Sequence, residues 1–71
     1  MAQYFDLHVF YSRRNGYSVP MAILDREPEQ SFDEDEIIEM AVRHDLLNAE
    51  DADSVDTVDE ISEQEYNDMK G

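Results

Sequence analysis

At 71 residues the chain suffices for one small domain, which buries only about 60% of its unfolded surface, so a deep enzymatic cleft is not expected. It has no cysteine, so neither disulfides nor thiolate metal sites supplement its core. The net charge is −14, and residues 31–71 hold fifteen acids against Arg43 and Lys70, which argues against direct nucleic-acid binding because phosphate affinity comes from Lys and Arg.

Residues 4–12 open the predicted architecture as a strand, with Phe5, Leu7, Val9 and Tyr11 on one face and Tyr4, His8 and Phe10 on the other. Residues 17–24 form a second strand, and Asn15-Gly16 between them is a hairpin signal. A two-residue Asn-Gly loop would pair Val9 with Ala22. A three-residue loop, Arg14-Asn15-Gly16 with Gly16 left-handed, instead sets Val19, Met21 and Ile23 beside Tyr11, Val9 and Leu7. The second register gives one continuous apolar face and is preferred. Pro20, lacking an N–H, assigns this strand to a sheet edge.

Residues 25–31 read as a connection around Pro28. A helix over 33–47 follows, capped by Ser31 with Glu34 or by Asp33 with Glu36, the second choice adding Phe32 and Ile37 as a hydrophobic staple. Ile38, Val42 and Leu46 recur at four-residue spacing with Ile37 and Ala41 alongside, and Asn48 is the expected terminator. A third strand is assigned to 55–61, anchored by Val55, Thr57 and Ile61 with Asp56 and Glu60 facing outward, although Val58 breaks the alternation and one helix through 55–69 is the competing choice. Ser62 with Glu65 then caps a short helix over 63–69. The expected fold is a single α+β domain, ββαβ with sheet order 2-1-3, antiparallel pairing of strands 1 and 3, and a short C-terminal helix.

Motifs for chemistry are sparse. Counting Asp51 as the first position of a calcium loop places Val55 at five, Asp56 where glycine is required and Ser62 where a bidentate Glu belongs. His8 and His44 lack a ligand-spaced companion. No glycine-rich elbow or phosphate loop surrounds any serine. The expectations are no catalytic residue, no metal, no cofactor and no enzyme. No apolar run approaches the roughly 18 residues of a membrane span, and the N-terminus lacks a basic leader region, so a cytoplasmic location is expected.

What remains is the acidity. Asp33, Glu34, Glu36 and Glu39 on the predicted helix, with Glu50, Asp51, Asp53, Asp56, Asp59 and Glu60 following, would offer a basic groove a ladder of charge comparable to duplex DNA, which carries one charge per about 1.7 Å of axis. In composition and size the chain resembles the small acidic anti-defence proteins of phages and mobile elements, including anti-restriction and anti-CRISPR DNA mimics. That resemblance implies a stoichiometric inhibitor of a DNA-handling complex, a basic partner surface, and affinity that falls steeply with salt. The alternative is a small binding or dimerisation module using exposed Tyr4 and Phe10, with the charge serving only solubility or salt adaptation. A homodimer through the edge strand or Phe10 is open on this reading.

Overall fold

Alternation of Phe5, Leu7 and Val9 with Tyr4, Asp6 and His8 makes the first strand two-faced. In the computed structural model, which describes residues 1–10 and 16–71, that strand is β1 (Gln3–Phe10), followed by β2 (Gly16–Ile23), α1 (Glu34–Arg43), α2 (Ala49–Ala52), β3 (Val55–Ile61) and α3 (Glu63–Lys70). β1 lies at the centre of a sheet ordered β2-β1-β3, antiparallel to both neighbours. The predicted α+β architecture is therefore present, including the final helix. β2 is an edge strand, which accommodates Pro20.

The register of the hairpin differs from expectation. Leu7 pairs with Val19 and Phe5 with Met21, so β2 is slid four residues from the predicted alignment. An even slip keeps every side chain on its expected face. The predicted alignment would have set Phe5 against Asp25; the observed one matches all eight residues of β1 to the eight of β2. Of the predicted loop, Arg14 and Asn15 lie outside the described residues, as do Tyr11 and Ser12 of the predicted strand end. Gly16 opens β2 opposite Phe10. A Cβ there would stand 2.7 Å from the Val9 carbonyl oxygen, so close backbone approach is what requires glycine.

One sheet face and α1 enclose the core, built from Phe5, Leu7, Val9, Val19, Met21 and Val58 of the sheet with Ile37, Ala41 and Leu47 above them. Asp33 is the N-cap of α1, its side chain accepting the Asp35 N–H at 3.0 Å. Phe32, the staple residue, meets Phe5 edge-on with centroids 4.8 Å apart.

α1 ends at Arg43 instead of Leu47. The Leu46 N–H donates to the Ala41 carbonyl and the Asp45 N–H to that of Val42, with Asp45 at φ 60°. These are the two bonds of a Schellman stop, with Asp45 in the left-handed position usually taken by glycine. The reversal turns Leu47 into the core and leaves Leu46 outside, 46% exposed, against the expected Ile38, Val42, Leu46 stripe. Asn48 caps the four-residue α2 and does not terminate α1.

β3 also departs in detail. Val58, opposite Leu7, is its buried anchor, while Thr57 is exposed. Val55 pairs with Val9 and Thr57 with His8, leaving Asp56 as an extra residue in a β-bulge. The bulge lets Val55 and Val58, at an odd spacing, share the core face. That resolves the broken alternation seen in the sequence.

α3 crosses the opposite sheet face, where Tyr66 packs on Tyr4 with centroids 4.9 Å apart. Ser62 caps it, accepting the Glu65 N–H at 3.1 Å. No helix among the described residues is long and apolar enough to cross a membrane.

Candidate interaction surface

The carboxylates of the chain are overwhelmingly at the surface: all but Asp6, Asp51 and Glu60 are exposed. Helix and strand geometry divides the ten sequence-predicted acids into groups. Asp33, Glu34, Glu36 and Glu39 lie on and before α1, and Glu50, Asp51 and Asp53 on or just after α2, in the layer covering the core face. Asp59 pairs opposite Asp6 on the other sheet face, so the sheet separates it from the α1 acids. Asp56 projects from the bulge. The structure does not bring the ten into one stripe.

Besides Asp33, the N-cap of α1, two of them are tied into the fold. Glu60 was expected to face outward, but it lies beside Phe5 on the core face and accepts hydrogen bonds from Gln3 Nε2 at 3.1 Å and the Glu29 N–H at 2.6 Å. Asp51 accepts the Tyr17 hydroxyl at 2.5 Å, which fastens α2 to β2. Glu36 approaches Arg26 at 4.0 Å and Glu39 pairs with Arg43 at 3.1 Å; the exposed pair contributes little to stability.

Arg26, Arg43, Lys70 and His8 each contact a group of the same chain. Arg26 donates to Gln3 Oε1 and the Ser31 carbonyl, both at 2.7 Å. Arg43 reaches Glu39, and Lys70 stands 5.5 Å from the centre of the Tyr66 ring. His8 Nε2 contacts Asp6 Oδ2 at 2.9 Å. Asp6 also stands opposite Asp59 of β3, a like-charge cross-strand pair.

The two aromatic candidates separate. Tyr4 is half-covered by Tyr66 and donates to Glu63 Oε1 at 3.4 Å. Burial against this helix, followed by the nearby Glu63 carboxylate, raises its phenol pKa above the ordinary value. Phe10, on the same face at the far end of β1, remains 52% exposed.

Two arrangements were not anticipated from sequence. Ser18 Oγ lies 3.4 Å from His8 Nδ1, which with the Asp6 contact gives an Asp–His–Ser line across β1 and β2. Ser18 sits inside a regular strand, however, without the sharp elbow that exposes a nucleophile beside oxyanion-binding N–H groups. The second arrangement is an apolar strip along β2, flanked by Tyr17, Leu24, Leu46 and Met69, four of the six exposed large hydrophobics among the described residues. Leu46 belongs to it because of the helix stop, which periodicity does not reveal. Among the described residues no three His or acidic side chains are placed to hold a metal ion. No protein-family model, curated protein or solved structure matches the chain.

Proposed function

We propose that this protein is a non-enzymatic acidic interaction protein whose carboxylates occupy the basic nucleic-acid-binding site of a partner, acting in the cytoplasm as a stoichiometric blocker. The carrying observation is the imbalance at the surface: sixteen of nineteen carboxylates are exposed, while Arg26, Arg43 and Lys70, the arginines and lysine among the described residues, each contact a group of the same chain. Such a field attracts and orients a basic surface. The helical-layer group, Glu34, Glu36, Glu39, Glu50 and Asp53, is the face assigned to the partner, because these acids share one side of the sheet. The phage anti-defence resemblance fits this reading through charge and size.

The test is capture of partners from host lysate at low and high salt, followed by neutralisation in two groups. Changing Glu34, Glu36, Glu39 and Glu50 to Gln with Asp53→Asn should abolish capture of a nucleic-acid-binding protein and its competition with DNA. Asp56→Asn with Asp59→Asn should have the smaller effect. Capture that survives both high salt and the helical-layer changes would overturn the proposal. If such capture is instead lost on Phe10→Ala, the apolar-module reading takes its place, for which the exposure of Phe10 is the supporting observation.

A further inference from the structure

The two sheet edges are treated differently by the sequence. β3 carries Asp56, Asp59 and Glu60 and a bulge, the usual devices that keep an edge from pairing. β2 carries no charged residue over Gly16–Ile23. Grooves run along it on both sides: one, beside its C-terminal half, is lined by Ile23, Leu24, Met40 and Leu46, and the other, beside its N-terminal half, by Tyr17, Pro20, Leu46 and Met69. Leu24 is 74% exposed. An open, uncharged edge bordered by apolar side chains is a surface for strand addition.

We propose that the occupant of this edge is a second copy of the chain, joined antiparallel through β2 about a two-fold axis to make a continuous six-stranded sheet. The argument is charge complementarity. Lys70 lines the groove at the N-terminal half of β2, whereas Asp25 follows Leu24 at the other end. A two-fold axis across β2 sets each end against the opposite end of the other copy, so Lys70 of one faces Asp25 of the other, twice. The sequence flanks agree in sign, since Arg13 and Arg14 precede β2 while Asp25, Arg26 and Glu27, net −1, follow it; Arg26 is held by Gln3 and Ser31 of its own chain. Pro20 offers a carbonyl but no N–H, so the axis passes beside it and the two prolines do not face each other. This association is between identical chains and does not depend on the basic partner proposed above. Its salt dependence is opposite: two copies of net charge −14 repel, so screening strengthens the dimer while it weakens a charge-driven complex.

Sedimentation equilibrium of the full chain, from micromolar to near-millimolar concentration at low and at about 0.5 M salt, tests it. The expected result is a monomer–dimer equilibrium that tightens with salt. Leu24→Glu and Leu46→Glu, both at exposed sites, should each weaken dimerisation by at least about tenfold with the circular dichroism spectrum unchanged. Asp25→Lys should weaken it, and Asp25→Lys combined with Lys70→Asp should restore it, an outcome that a merely structural role for either residue would not give. A monomer under every condition overturns the proposal. So does a dimer lost on Phe10→Ala and indifferent to Leu24→Glu and Leu46→Glu.

Discussion

Gln3 is polar yet fully buried, and its amide is satisfied on both sides: Nε2 donates to the Gln30 carbonyl at 2.7 Å and to Glu60, and Oε1 accepts from Arg26. These bonds tie the start of β1 to the 25–31 connection and the end of β3. Nothing in the spacing of the sequence singles this residue out, because its partners lie 23 to 57 positions away. The opposite case is Asp6, whose Oδ1 is buried without a hydrogen-bond partner among the described residues. Tyr4 gives the sharpest residue-level expectation. Its folded pKa lies above the ordinary value of 10.0, so the unfolded chain loses this proton first as pH rises. The contribution is fully present below the unfolded pKa and is lost as pH climbs through the raised folded value. Urea unfolding on either side of pH 10.0 should show a steeper alkaline loss of stability in the wild type than in Tyr4→Phe.

Caps and turns decide where elements stop. The starts of α1 and α3 were legible because Asp33 and Ser62 are cap-forming types at the head of their helices. Between 27 and 30 the chain turns with Pro28 at the second position, Glu29 at φ 65° and a Gln30 N–H to Glu27 carbonyl bond of 3.2 Å, the pattern of a type II turn. The end of α1 was not legible, since Asp45 is an uncommon left-handed residue and the apolar spacing continues through Leu46. The left-handed conformation costs a non-glycine residue roughly 1 kcal/mol. Asp45→Gly is therefore expected to stabilise the domain by up to about 1 kcal/mol, raising Tm by roughly 4–8 °C. Calorimetry checks this, and an unchanged or lower Tm would show that the Asp45 side chain stabilises the stop in another way.

At the scale of the whole molecule, self-repulsion opposes a small core. The nine buried apolar side chains among the described residues hold together a chain of net charge −14, and like charges over a compact surface destabilise it. Raising salt from millimolar to about 0.5 M shortens the screening length from tens of ångströms to a few. Thermal unfolding followed at constant protein concentration below the dimerisation range should show Tm rising with salt, by about 4–8 °C per 1 kcal/mol of repulsion removed. A Tm that falls with salt would mean that the engaged cations outweigh the repulsion. The alternation in β1, the caps and the strand-sized apolar runs determined, by themselves, an α+β domain with β1 central and β2 at an edge, because side-chain period and local hydrogen-bonding chemistry are properties of neighbouring residues. Tertiary structure alone decided the four-residue slide of β2, the bulge at Asp56, the inward turn of Glu60 and the division of the acids between two sides of the sheet. Each depends on which distant residue stands opposite, and a slip of four or an added residue changes that partner without changing the local pattern.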